Sequence, residues 1–202
     1  MLAGENPEKV ILCSTAEPDS VPSMQLIRFS WLRSHRLAIG SFPHNWTTLQ
    51  QCGIRKVFSC CGIEEGEWSP PAEWLSKRWP LPDHRNQTQL QPSLLASALD
   101  DLEDLARNSS VDGALYLHCL AGVERSPLLA VGLLCRLEEL TLLDALAQVR
   151  HLHPQAKPIP AQLILLEDLI ETERSRKKRS SSLVDNQSGQ PFNRMIVGSR
   201  RI

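Results

Sequence analysis

No stretch of this chain approaches the roughly 20 apolar residues that a membrane-spanning helix needs. Its first residues include Glu5, Glu8 and Glu17 and lack a long apolar core, so a secretory leader is not expected. Six cysteines in 202 residues are too few, and too irregularly spaced, for a disulfide scaffold. Cys60 and Cys61 are adjacent and no Cys-x-x-Cys pair occurs, which argues against a zinc site. His151 and His153 imitate a metal pair. They lie at a helix end before Pro154 with no third ligand nearby, and surface positions are expected for both. The formal net charge is only −1, so no global field draws the chain to nucleic acid or acidic lipid. Internal repeats are absent. These absences point to a soluble protein of a reducing, cytoplasmic compartment, with no metal and no cofactor.

What is present suffices for one core. Hydrophobic residues make up 42% of the chain, and the length suits a single domain with tails. Residues 1–22 set the short apolar run Val10-Ile11-Leu12-Cys13 among Pro, Glu, Asp and Ser, and read as an N-terminal extension. Residues 23–172 carry the periodic patterns of a folded domain. From 173 the character changes. Arg174, Arg176, Lys177, Lys178 and Arg179 precede three serines and a polar stretch to Ile202, so 173–202 is expected to be a disordered basic tail. Such a run suits an acidic partner, and more simply reads as a solvated end.

Within the domain, residues 27–32 and 37–40 flank Ser34-His35 and predict a hairpin. Asn45 or Thr47 caps a short helix that Gly53 stops. Residues 54–61 form a strand. Residues 64–71 are polar and proline-bearing, and read as a surface connection. Leu94, Leu95, Leu99, Leu102 and Leu105 make the apolar stripe of a helix over 93–107, a core feature. Residues 113–117 form a continuous apolar strand, which suits a sheet covered on both faces. A deeply buried helix over 128–140 follows, then one over 142–151 capped by Thr141, and a last packing helix over 161–172.

Between the apolar strand and the buried helix runs His118-Cys119-Leu120-Ala121-Gly122-Val123-Glu124-Arg125-Ser126-Pro127. A loop between a strand and a helix N-terminus turns backbone N–H groups on whatever it holds, and the helix dipole adds positive potential. A concave run of amides of this kind is an anion nest. Gly122 allows the bend, and Pro127 suits the first helical turn. A cysteine at the mouth of such a nest is stabilised as its thiolate. Arg125 can reach back with a planar fork matched to two phosphate oxygens. A phosphoryl group would thus be held by the backbone of Leu120, Ala121, Gly122, Val123 and Glu124 and by Arg125. Cys119 would attack phosphorus, and the cysteinyl-phosphate would then be hydrolysed.

His118, Cys119, Gly122, Arg125 and Ser126 fall on the pattern His-Cys-x-x-Gly-x-x-Arg-Ser. The loop therefore resembles the signature of the cysteine-dependent protein tyrosine and dual-specificity phosphatases. The block opening Leu37-Ala38-Ile39-Gly40-Ser41 resembles the N-terminal half of small, atypical dual-specificity domains. The resemblance implies a single compact α/β domain, with a central mixed sheet of about five strands flanked by helices. It implies that Ser126 assists Cys119 as leaving group and that His118 orders the loop. Trp79-Pro80-Leu81-Pro82-Asp83-His84-Arg85 resembles the family's general-acid loop, which makes Asp83 the donor of a proton to the departing oxygen. Asp100, Asp101, Asp104 and Asp112 are weaker rivals. His84 and Arg85 read as substrate contacts, as loop braces or as plain surface. The strand ending at Cys60-Cys61 should lie beside the one ending at Cys119, and backdoor disulfides occur among cysteine phosphatases. Cys61 is accordingly the candidate redox partner of Cys119. Gln162 aligns with the family's final-helix entry and is assigned no role.

The expected activity is hydrolysis of phosphotyrosine, and of phosphoserine and phosphothreonine, in a phosphoprotein substrate. No lysine lies between Cys119 and Arg125, which disfavours highly phosphorylated lipids. An RNA 5′-phosphatase would use the same chemistry, with only the basic tail in its favour, and nucleic acid is not the expected partner. A non-catalytic phosphate-binding scaffold is the other alternative. The intact set Cys119, Arg125, Ser126 and Asp83 argues against it.

Overall fold

In the computed structural model, residues 29–33, 36–85, 88–108 and 112–187 are described, with side chains to 179. Strand β1 (Phe29–Arg33) and strand β2 (Leu37–Gly40) pair antiparallel, with Phe29 opposite Gly40. The expected turn at Ser34-His35 lies outside the described residues. Helix α1 (Trp46–Gln51) starts where Asn45 accepts hydrogen bonds from the amides of Thr47 and Thr48, at 2.9 and 3.3 Å. Strand β3 (Ile54–Ser59) leads through a 3-10 turn (Ile63–Glu65) to strand β4 (Leu75–Arg78). Helix α2 (Pro92–Arg107) opens on a proline in its first turn. Strand β5 (Ala114–His118), helix α3 (Arg125–Leu137), helix α4 (Leu142–Leu152) and helix α5 (Pro160–Gln187) complete the chain.

The five strands form one mixed sheet in the order β1-β2-β5-β3-β4, parallel except for the β1–β2 pair. β5 is central and wholly buried, as its unbroken apolar sequence requires. Alternation along it splits the core. Leu115 and Leu117 face the helices α2, α3 and α5 and pack with Leu95, Leu99, Leu128 and Leu166. Ala114 and Tyr116 face the other side, with Leu49 of α1 and Trp74. α3 carries apolar residues all round and is buried along its length. At Gly132 an added Cβ would lie 2.8 Å from Leu99 and 3.0 Å from Leu166, so a larger residue there would make those leucine side chains shift.

Three boundaries differ from expectation. β4 was not anticipated, because it is a short edge strand with Ser76 and Lys77 exposed and no apolar alternation. α3 begins three residues earlier than 128, on Arg125, so that arginine is itself in the first helical turn. α5 continues through 173–187, past the boundary at which a disordered tail was expected. Tertiary contacts explain it. Glu173 pairs with Arg136 at 2.5 Å, and Arg174 donates to the carbonyls of Cys135 and Leu140 at 3.3 and 2.6 Å, extending the helix along α3. Residues 1–22 and 188–202 lie outside the described residues.

Candidate active site

β5 and β3 end at the same edge of the sheet, and their register sets the site. Ser59 pairs with His118, and the amide of Cys60 donates to the His118 carbonyl at 2.8 Å. The chain leaving β5 then curls through Cys119–Glu124 into α3. Three of its carbonyls are tied outward. Leu120 O accepts from the amide of Phe42 at 3.0 Å, Val123 O from that of Lys157 at 2.7 Å, and Gly122 O bonds His153 Nε2 at 2.8 Å. In a trans peptide the following N–H points the opposite way. The amides of Ala121, Val123 and Glu124 are therefore turned away from those partners, to the inside of the loop. Gly122 has φ +73°, and a Cβ on it would meet the backbone of Gly40 and Ser41 at 2.6–2.9 Å. Only glycine fits there.

Cys119, Leu120, Ala121, Val123, Glu124 and Arg125 line one cavity of about 280 Å³ together with Asp83, His84 and Arg85. Ser126 Oγ lies 3.3 Å from Cys119 Sγ, placed to donate to a thiolate. His118 is fully buried against Phe42, Trp68 and Tyr116, and its Nδ1 faces the Cys119 carbonyl at 3.4 Å. Burial drives its pKa down to about 3, so the ring is neutral and structural rather than a proton carrier. A larger cavity of about 700 Å³ lies at the far end of α3, filled by ion pairs of Arg136 with Asp100, Glu103 and Glu173. The cysteine on its lining is the buried Cys135, whereas the smaller cavity brings Cys119 together with Arg125 and Asp83.

Arg125 is held from several sides. Its Nη1 and Nη2 donate to Glu65 Oε2 and Oε1 at 2.6 and 2.7 Å, and Nη1 also reaches the carbonyls of Cys60 and Leu81 at 3.2 Å each. Burial works against its charge, but the hydrogen bonds to Glu65 overcome it and hold the guanidinium above its ordinary pKa. Glu65 is fixed in turn by the amide of Gly62 at 2.8 Å, and Arg125 keeps its carboxyl below the usual range. Glu65 was not singled out in the sequence, where Glu64-Glu65-Gly66 reads as solvated loop.

The loop bearing Asp83 is anchored at both ends. Trp79 Nε1 donates to Asp101 at 2.7 Å, and the amides of Trp79 and Leu81 extend the ladder of β3. Gln162 Nε2 donates to Pro82 O at 3.0 Å, which gives that residue a bracing role it lacked on sequence grounds. Asp83 is buried and within 3.3 Å of Arg125 Nη2. Burial raises its pKa, but the hydrogen bonds from Arg85 outweigh this and hold it below the carboxylate range. His84 pairs with Glu124 at 2.7 Å, joining the acid loop to the phosphate loop. The rival Asp100 and Asp101 are engaged by Arg136 and Trp79, away from Cys119.

One expectation changes. His153 is buried, not a surface residue. Its Nδ1 meets Ser30 Oγ at 2.8 Å while Nε2 supports Gly122, so the turn before Pro154 folds it under the phosphate loop. Cys60 and Cys61 are both buried within electrostatic reach of Cys119, and burial pushes the Cys61 thiol up to about 12. Among the described residues no group of three potential metal ligands converges, and no helix is long and apolar enough to cross a membrane.

No protein-family profile and no curated protein sequence matches this chain. Solved structures do. PTPMT1 in complex with PI(5)P superposes with TM-score 0.62 at 18% identity, over 74% of this chain and 98% of that one. A mouse dual-specificity phosphatase complexed with zinc tungstate gives 0.62 at 18%, over 81% and 96%. Tk-PTP in its active form gives 0.58 at 24%, over 71% and 96%. The chain has the α/β fold of the cysteine-dependent dual-specificity phosphatases.

Proposed function

We propose that this chain is a cysteine-dependent phosphomonoester hydrolase acting on phosphoproteins, on phosphotyrosine and on phosphoserine and phosphothreonine. The observation that carries the reading is a single cavity shared by Cys119, inward amides, Arg125 and Asp83. Cys119 attacks phosphorus while the loop amides and Arg125 hold the non-bridging oxygens. Asp83 delivers a proton to the departing oxygen. Water then displaces Cys119, whose thiolate is met by the Ser126 hydroxyl. His118 keeps the loop in shape. Cys61 serves as the redox partner that captures oxidised Cys119.

The neighbour bound to PI(5)P brings phosphoinositides into question. Here the phosphate loop offers no cation between Cys119 and Arg125, and the mouth carries Glu64, Glu65 and Glu124. The cations at that mouth, His84 and Arg85, are already paired with Glu124, Glu65 and Asp83, which favours a protein-borne monoester over a highly phosphorylated lipid. The test is turnover of an aryl phosphate and of phosphotyrosine, phosphothreonine, phosphoinositide and 5′-phosphorylated RNA substrates. Cys119→Ser should abolish it, and Asp83→Ala should slow poor leaving groups by about 10²-fold or more. Phosphopeptide binding without turnover by the unmodified chain would mean a scaffold instead.

A further inference from the structure

Four side chains around the cavity form a closed ring of alternating charge. Arg125 holds Glu65 at 2.6 and 2.7 Å, and Glu65 Oε1 accepts from Arg85 Nη2 at 2.8 Å. Arg85 Nε donates to Asp83 Oδ2 at 2.9 Å, its Nη2 also contacts that oxygen, and its backbone amide donates to Oδ1 at 2.9 Å. Asp83 Oδ2 closes the ring on Arg125 Nη2 at 3.3 Å. The two guanidinium groups balance the two carboxylates.

We propose that Arg85 is the positioning residue that keeps Asp83 ionised by pairing with it and releases it when a phosphoryl dianion enters, so that substrate binding itself loads the proton. The inference rests on the reading of Asp83 and Arg125 given above.

Charged groups from several elements surround Asp83, with Glu64 sharing the cavity mouth. Arg85 comes from its own loop, Arg125 from the first turn of α3, and Glu65 from the 3-10 turn through both arginines. Cys119 faces it across the cavity, and the His84–Glu124 pair flanks it. A dianion seated over the loop adds two negative charges to a ring that was neutral. One carboxylate must then take up a proton or move. Glu65 is committed to Arg125 and to the Gly62 amide. Asp83 shares its oxygens with Arg85, whose side chain is 51% exposed and free to turn to solvent or to the incoming ester. An O–H bond forms on Asp83 with a proton from solvent, and the salt link to Arg85 breaks. The acid gives that proton to the leaving oxygen. The water of the second step resupplies one proton, so the cycle balances.

Two measurements test this. In the unmodified protein, calorimetric titration with tungstate near pH 7, in buffers of different ionisation heat, should show net proton uptake. In Arg85→Gln the descending limb of the pH profile of kcat/KM for phenyl phosphate should move up by about one unit or more. Arg85→Lys should return it part of the way. No proton uptake, or a limb that stays put in Arg85→Gln, overturns the proposal. The underlying reading fails separately, if Asp83→Asn turns over phenyl phosphate as fast as the unmodified protein.

Discussion

Glu65 closes on Arg125 with both carboxylate oxygens, at 2.6 and 2.7 Å, across 60 positions of sequence. The two nitrogens that Glu65 takes fix the plane of the guanidinium. Breaking a buried ion pair by removing one partner costs about 3–5 kcal/mol, because the other charge stays buried. Glu65→Gln should therefore lower the midpoint of denaturation and reduce kcat/KM by about 10²-fold. The loss should be equal for good and poor leaving groups, since it concerns the grip on phosphate. A loss confined to poor leaving groups would assign Glu65 to the proton transfer instead.

Ser126 Oγ lies 3.3 Å from Cys119 Sγ and can stabilise the thiolate that departs in the second step. A hydrogen bond to a charged group contributes about 1.5–3 kcal/mol, or about 10- to 100-fold in rate. Ser126→Ala should slow kcat by that factor, spare kcat/KM for an aryl phosphate, and give a burst of phenol in rapid-mixing experiments. A kcat/KM lowered as much as kcat, with no burst, would show that the hydroxyl serves the first step.

Gly122 combines φ +73° with backbone atoms of Gly40 and Ser41 at 2.6–2.9 Å from any added Cβ. Neither contact can yield by a side-chain rotation. Gly122→Ala should displace the loop from the end of β2, abolish tungstate binding and cut turnover by more than about 10²-fold. Activity within a few-fold of the unmodified chain would mean that the loop tolerates a different bend.

Much of this site was legible because its residues are consecutive. A loop that cradles an anion needs its nucleophile, glycine and arginine at fixed spacing, so residues 118–126 announce themselves. The aspartate loop was readable for a weaker reason, its proline-rich turn. Glu65, His153 and Gln162 act only through partners supplied by the fold: Arg125, Gly122 and Pro82. Nothing in Glu64-Glu65-Gly66 or in His153-Pro154 separates a buried partner from a solvated one. β4 and the second half of α5 were missed because pairing with β3 and contacts with α3 override weak local pattern.

His118 makes the fold acid-sensitive. Its ring is held neutral, with burial lowering its pKa to about 3. In the unfolded chain the ring takes up a proton below about 6.5. Stability is therefore complete above that pH and falls as pH drops towards 3, by at most about 5 kcal/mol. Glu65 and Asp83, whose pKa values are held low, contribute in the same direction below the carboxylate range. Urea denaturation at pH 7, 5.5 and 4.5 should show the loss, and His118→Asn should flatten it between 7 and 5. An identical slope in that variant would place the sensitivity elsewhere.

Oxidation offers the last test. Peroxide takes two electrons from the Cys119 thiolate, leaving a sulfenic acid and a hydroxide that solvent protonates. The Cys61 thiol then attacks that sulfur, an S–S bond forms and a second water departs. The attacking species is the thiolate, and burial holds the Cys61 thiol at about 12. Only a small fraction is ionised at neutral pH, so capture should be slow and should quicken about tenfold per pH unit. Mass mapping after brief peroxide treatment at pH 7 and 9 should find a Cys61–Cys119 link, formed faster at the higher pH. Reductant should restore turnover, and Cys61→Ser should lose activity irreversibly. Cys60 leaves β3 beside His118 and is equally buried, so a link to Cys60 would reassign the partner. Sulfinic acid on Cys119 with no link at all would end the redox proposal.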